Sequence, residues 1–200
     1  MSQTSSEDSM TSLDPRSPLV LDTRELGRRA GSMKKMNFSV AAPADLGVAM
    51  VAVPIGSDID FDIRLESVMD GVLVTGTALV TVAGECSRCL EPLAFDMEVD
   101  LQEMYEHPET DSRGRTIEGS SDNDDELPKL DQDLLDLEPT LRDSVVLALP
   151  PVPLCQPDCL GLCVECGVNR NDEPEHKHDV IDARWSALAD LVAKEGNEEE

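Results

Sequence analysis

Six cysteines constrain this chain more than any other feature, because they fall in two places far apart in sequence and both have spacings that thiolate metal sites use. Cys155, Cys159, Cys163 and Cys166 lie together in LCQPDCLGLCVECGVNRN, Leu154 to Asn171, and Cys86 and Cys89 form a CxxC in GECSRCLEP well upstream. A CxxC turn sets two sulfurs on one side of an ion, and zinc holds thiolates in a tetrahedron at about 2.3 Å. If one zinc ion joins the two places, the chain must fold so that the later stretch lies on the turn carrying Cys86 and Cys89.

Alternation with a period of two locates that turn. Ile59, Phe61, Ile63 and Leu65 alternate with Asp58, Asp60, Asp62, Arg64 and Glu66, the pattern of a strand with one wet face. Asp70-Gly71 follows as a hairpin turn. Val72 to Ala83 reads as a more central strand, with Val72, Val74, Ala78, Val80 and Val82 on one face. After GECSRCLEP, Leu93, Phe95, Met97, Val99 and Leu101 form the apolar face of a returning strand, which puts Cys86 and Cys89 at a hairpin tip.

Met33 to Ala42 and Val48 to Ile55 are further strand candidates, and Asp22 with Glu25 three residues later suggests a helical turn or two through Arg29, ended by Gly31. Further on, Pro139 suits a first helical turn, Leu141, Val145 and Leu149 recur every four residues, and Pro150 and Pro151 stop the helix. Asp182 can cap a second helix through about Lys194, with Trp185, Leu188, Leu191 and Val192 on one face. The expected class is α+β: an antiparallel, meander-like and possibly barrel-like sheet, then helices and a cysteine-rich zinc-binding loop packing on it.

The expected organisation is a disordered tail over 1–17, a sheet region over 18–106, an acidic flexible insert over 107–129, and a helical, cysteine-rich metal-binding region over 130–195. The hydrophobic share is 40% but aromatics supply only 2%, so a metal staple would support a core built from small aliphatic side chains. The formal charge of −26 repels nucleic-acid phosphate except where basic residues segregate. They do so from Arg16 to Lys35, where Arg24, Arg28, Arg29, Lys34 and Lys35 are the candidate RNA contacts and a solvated face is the competing reading. No secretory leader and no apolar run of membrane length is present, so a soluble cytoplasmic protein without a membrane partner is expected. In a reducing compartment close cysteines serve as metal ligands rather than disulfides.

A closed zinc site needs four ligands, and the spacing leaves open which cysteines supply them. Cys86 and Cys89 can combine with Cys163 and Cys166, or with Cys155 and Cys159, or the last four can form a site alone; all six are candidate ligands. Adding His176 and His178 would give eight ligands and two ions, although an HKH between Glu175 and Asp179 reads more simply as a solvated loop. No HExxH, no H-x-E with P-C-x-x-C and no Gly-rich phosphate loop occurs, so no catalytic residue and no small-molecule substrate is expected. Thiol redox chemistry is the weaker alternative, lacking a βαβ pattern around either CxxC.

Four segments together resemble the YceD family, also called DUF177: C-S-R-C-L-E-P at Cys86 to Pro92, LALPPVPLC at Leu147 to Cys155, P-D-C-x-G-L-C-x-x-C-G-x-N at Pro157 to Asn169, and D-A-R-W near Asp182. The resemblance runs from about Leu19 to Leu191. It implies a bacterial and plastid protein that binds metal and is associated with accumulation of large-subunit (23S) ribosomal RNA. It also favours Cys86 and Cys89 as the common part of the site. The chain departs from the family's G-x-N-L-N at Arg170, and His176 and His178 follow in the same region. The expected function is that of a zinc-binding, non-enzymatic accessory factor in ribosomal RNA accumulation or large-subunit biogenesis. The alternative is an acidic, chaperone-like binder of a basic large-subunit ribosomal protein.

Overall fold

The computed structural model describes residues 13–108 and 127–178. The sequence assignments of a tail over most of 1–17, an insert over most of 107–129 and a helix from Asp182 lie outside these residues.

Seven strands and one helix follow in order: β1 (Val20–Asp22), β2 (Met33–Ala41), β3 (Val51–Ala52), β4 (Asp58–Ser67), β5 (Gly71–Glu85), β6 (Pro92–Glu106), β7 (Leu134–Asp136) and α1 (Glu138–Ala148). The main sheet is antiparallel throughout. β2 pairs with β4, β4 with β5 and β5 with β6, while the two residues of β3 continue along the β4 side of β5 at Ala83 and Gly84. Gly84 permits that approach, because a Cβ there would stand 2.1 Å from the Met50 carbonyl oxygen.

The alternation that marks β4 in the sequence sets its two faces. Ile59, Phe61, Ile63 and Leu65 are buried and the intervening Asp58, Asp60, Asp62 and Arg64 are exposed. Register carries the inner face across the sheet, from Val40 beside Ile59, through Val80 and Ala78, to Val99 and Leu101. Among the described residues the sheet does not close into a barrel, and β1 and β7 pair with each other instead. Leu19, Leu21, Leu135, Leu137, Leu141, Val145 and Leu149 from this ribbon and α1 join the sheet's inner residues in one core.

Pro139 and the acidic Glu138 occupy the first turn of α1 and favour its start. The Asp136 carboxylate accepts the Glu138 N–H, supplying the cap that Leu137 lacks. Tyr105 ties the helix entrance to β6: its buried hydroxyl donates to the Asp136 carbonyl at 2.8 Å and lies 2.6 Å from Thr140 Oγ1, which is left as the donor in that second bond. Burial pushes the Tyr105 hydroxyl up to about 12, so it keeps its proton.

The helix expected from Pro139 is α1, and two other expectations need correction. After Asp22, which ends β1, the chain to Arg29 forms turns and bends rather than a helix, because the Asp22 carboxylate takes the N–H and guanidinium of Arg24, two residues on, and Thr23 donates both its N–H and its hydroxyl to the Asp133 carbonyl. The strand expected over Val48 to Ile55 shrinks to Val51–Ala52, since Val48 and Val53 instead close a tight loop through bonds with Val51 and Leu46.

Replacing Tyr105 by Phe removes both hydroxyl bonds and leaves the Thr140 hydroxyl buried without its acceptor. Urea unfolding is expected to show a loss of about 1–3 kcal/mol, and an unchanged midpoint would mean that this tie does not hold the helix to the sheet.

Candidate metal centre

The hairpin of β5 and β6 is much longer than the sheet is wide, with fifteen residues in each strand. It carries Cys86 and Cys89 past the main core to a separate small cluster of Cys86, Cys89 and Cys159, with Leu93, Leu154 and Leu162 against it. The tip is a tight turn: the Cys86 N–H donates to the Glu91 carbonyl at 2.9 Å, and the Leu90 N–H donates to the Cys86 carbonyl at 2.9 Å. Leu90 adopts a positive φ of 61° there, a conformation that costs a residue with a Cβ about 1–2 kcal/mol.

Three contacts bring the later stretch onto this turn. The Ser87 N–H donates to the Pro153 carbonyl at 2.8 Å, the Leu162 N–H donates to the Arg88 carbonyl at 3.0 Å, and the Arg88 guanidinium donates to the Cys159 carbonyl at 2.8 Å. Gly161 passes so close to Arg88 that a Cβ would lie 3.0 Å from its carbonyl oxygen, and its φ of 74° also suits glycine. Cys155 and Cys159 are thereby placed opposite Cys86 and Cys89. Of the three ligand sets the sequence allows, this is the one the fold assembles.

The four sulfurs of Cys86, Cys89, Cys155 and Cys159 lie within 4.8 Å of one another. Cys86 Sγ is 3.8 Å from Cys159 Sγ, and Cys89 Sγ is 3.6 Å from Cys155 Sγ. None of the six cysteines is in a disulfide. A tetrahedron with metal–sulfur bonds of about 2.3 Å has sulfur–sulfur edges of about 3.8 Å, so the donor set and its spacing fit a zinc-sized ion. Burial raises the Cys86 thiol, but N–H groups of Cys89, Cys155 and Arg88 aimed at its sulfur outweigh this and bring it down to about 6. Asn171 Nδ2 lies 3.3 Å from Cys159 Sγ and is the main cause of that thiol's lowered value. Burial and the neighbouring sulfurs push Cys155 up to about 12. Cys89 receives the Glu91 N–H, which lowers it, yet burial and the Cys86 sulfur leave it raised. Four thiolates cannot share this space unaided; a divalent cation lets all four lose their protons.

Cys163 and Cys166 belong elsewhere. They lie with His176 and His178 in a second group whose ligating atoms also fall within 4.8 Å. The expectation that HKH is only a solvated loop is thus corrected: His176 Nε2 and His178 Nε2 each stand 3.2 Å from Cys166 Sγ. The reason is a turn through Asn169 to Glu173, in which the Asp172 N–H donates to the Asn169 carbonyl and the His176 N–H to the Glu173 carbonyl. Both groups can hold a metal ion.

Sequence reading missed Asn171, whose side chain bonds the Leu160 N–H, Cys159 Sγ and Asn169 Oδ1. An N-x-N directly after the last cysteine turn was the available signal. The basic run is largely neutralised: Arg24 pairs with Asp22, Arg28 with Asp133 and Lys34 with Glu25, which leaves Arg29 and Lys35 of the five candidate RNA contacts without a carboxylate among these pairs.

A mostly antiparallel β protein with two Cys/His clusters, one of them clasping a hairpin tip to a distant segment, is the class these features define. The family model described as "Large ribosomal RNA subunit accumulation protein YceD" matches residues 74–192, and the chain belongs to that family. Among curated relatives, an uncharacterized protein of Mycobacterium tuberculosis is 40% identical over 181 residues, covering 90% of this chain and 84% of the relative. Another, of Mycobacterium leprae, is 36% identical over 185 residues, covering 88% of this chain and 79% of the relative. No solved structure matches the chain. No helix among the described residues is long and apolar enough to cross a membrane.

The proton inventory of the four-cysteine cluster predicts how metal binding depends on pH. Cys155 and Cys89 are held above the ordinary thiol range, so both are protonated near neutrality and each must lose a proton when an ion binds. In a Cys163→Ser/Cys166→Ser variant, calorimetry in buffers of different ionisation enthalpy is expected to detect proton release on zinc binding at about pH 7, including the protons of Cys89 and Cys155, with affinity rising as pH rises. Proton release near zero, or affinity that falls with pH, would contradict this assignment of charge.

Proposed function

We propose that this protein is a non-enzymatic accessory factor in the accumulation of large-subunit ribosomal RNA, and that its working form is held by zinc bound to Cys86, Cys89, Cys155 and Cys159. The single observation that carries the metal half of this reading is the convergence of four sulfurs from two distant segments at tetrahedral spacing. Membership of the YceD family supports the ribosomal half. Four thiolates complete the coordination of zinc and leave no position for a substrate, which favours a structural ion over a catalytic one.

One surface favours a protein rather than RNA as the direct partner. The sheet's outer face presents Asp58, Asp60 and Asp62 from β4 and Asp96, Glu98 and Asp100 from β6, with Thr77, Leu79 and Thr81 of β5 between the two rows. A shallow groove of about 480 Å³ lies there, lined in part by Asp60, Asp62, Thr77, Leu79 and Glu98. Such a face repels phosphate and complements a basic ribosomal protein, so the acidic-binder alternative becomes the mode by which the factor acts. The cytoplasm, where ribosomes assemble, is the proposed location.

In host cells lacking the gene, the ratio of large-subunit to small-subunit ribosomal RNA is expected to fall. The wild-type chain should restore it and a Cys86→Ser/Cys89→Ser variant should not. A ratio unaffected by the deletion would remove the ribosomal reading, and full rescue by the variant would remove the role of the metal. Affinity capture of the wild-type chain after nuclease treatment is expected to retain a basic ribosomal protein; loss of that protein on treatment would return RNA to the first place.

A further inference from the structure

The turn at Cys163 repeats the turn at Cys86. In the first, the Cys86 N–H donates to the Glu91 carbonyl and the Leu90 N–H donates back to the Cys86 carbonyl; in the second, the Cys163 N–H donates to the Val168 carbonyl and the Gly167 N–H donates back to the Cys163 carbonyl, both at 2.8 Å. The residue after the second cysteine has positive φ in both, 61° at Leu90 and 76° at Gly167. N–H groups two and three residues on point at the first sulfur in each case, from Arg88 and Cys89 and from Glu165 and Cys166. The chain has built the same thiolate-presenting turn twice.

The second turn faces two imidazoles. His176 Nε2 and His178 Nε2 are 2.8 Å apart, and each is 3.2 Å from Cys166 Sγ. These are distances at which one ion could take all three atoms as ligands. A Glu173 carboxylate oxygen lies 3.4 Å from His176 Nδ1, where it favours a proton on Nδ1 and so leaves Nε2 free to ligate. A carboxylate on the ring nitrogen opposite the ligating one is the support that zinc-binding histidines use.

We infer that Cys163, Cys166, His176 and His178 form a second zinc site, independent of the four-cysteine clasp, and that its ion exchanges with solvent while the clasp's ion does not. Two contrasts carry the difference in exchange. The clasp's cysteines are buried apart from Cys155, whereas Cys166 and His178 are exposed and Cys163 and His176 half-buried. The clasp also joins segments more than sixty residues apart, as in the 66-residue separation of Cys89 and Cys155, so releasing its ion requires two parts of the fold to separate. The peripheral ligands all lie between Cys163 and His178, a local loop outside the main core, and the ion can leave without disturbing the sheet. Two thiolates and two neutral imidazoles also bind a divalent ion with less excess negative charge than four thiolates do.

Cobalt(II) titration of the metal-free full chain tests the site, because tetrahedral cobalt reports its number of thiolates in its charge-transfer absorption. The wild type is expected to take two equivalents, one with a four-sulfur spectrum and one with a two-sulfur spectrum. His176→Gln/His178→Gln should reduce this to one four-sulfur equivalent, and Cys86→Ser/Cys89→Ser should leave the two-sulfur equivalent. If the wild type takes a single four-sulfur equivalent that the histidine variant keeps, the second site is overturned while the clasp stands. If it takes a single two-sulfur equivalent that the histidine variant loses, the second site stands and the clasp is overturned. With the zinc form, a colorimetric chelator should remove one equivalent at least tenfold faster than the other; a single common rate would overturn the difference in exchange.

Discussion

Everything at the far end of the molecule depends on four sulfurs being gathered where their negative charges cannot coexist unaided. The main core is self-sufficient, since Val, Leu and Ile side chains from the sheet, the β1–β7 ribbon and α1 fill it. The hairpin tip is different. It projects beyond that core and meets the segment after Pro151 with only a few apolar contacts, from Leu93, Leu154 and Leu162. Three backbone and side-chain hydrogen bonds through Ser87 and Arg88 orient the two segments, but such bonds are each worth only about 0.5–1.5 kcal/mol net. The metal–thiolate bonding proposed above would be large enough to make their association permanent.

This division of labour explains how function can follow from so little chemistry. The proposed clasp would hold the tip of a long hairpin whose strands β5 and β6, kept in register by their own fifteen pairs, carry outer residues that form the acidic face beside β4. The peripheral turn extends from the clasp through Asn171, which touches Cys159 on one side and Asn169 on the other, so the two metal groups share a short hydrogen-bonded bridge. Val164, at the tip of the peripheral turn, is 97% exposed, which puts an apolar contact point next to the proposed exchangeable site.

Much of this was legible in the sequence, and the parts that were not have physical reasons. The β4, β5 and β6 strands declare themselves because each has one apolar face, and a period of two is local information. Placing Cys86 and Cys89 at the hairpin tip follows from those strands alone. The choice of Cys155 and Cys159 as their partners does not, because the CxxC spacing that matches Cys86 and Cys89 belongs to Cys163 and Cys166, whereas Cys155 and Cys159 are spaced CxxxC; the Pro153–Ser87 and Leu162–Arg88 bonds decide it, and they exist only in three dimensions. β7 escaped notice because three residues carry no period and its partner, β1, is more than a hundred positions away. The turns at Asp22 mimicked a helix cap because Asp bonds nearby N–H groups in either setting.

On this proposal an ion at Cys86, Cys89, Cys155 and Cys159 fastens the hairpin tip to the segment after α1. Amide hydrogen exchange of the full chain, compared with and without a chelator strong enough to strip both metal groups, tests it most directly. On chelation the amides of Ser87, Leu90, Cys159 and Leu162 are expected to lose protection together while those of β2, β4 and the paired centre of β5 and β6 keep theirs. Unchanged protection at those four amides after complete metal removal would contradict it.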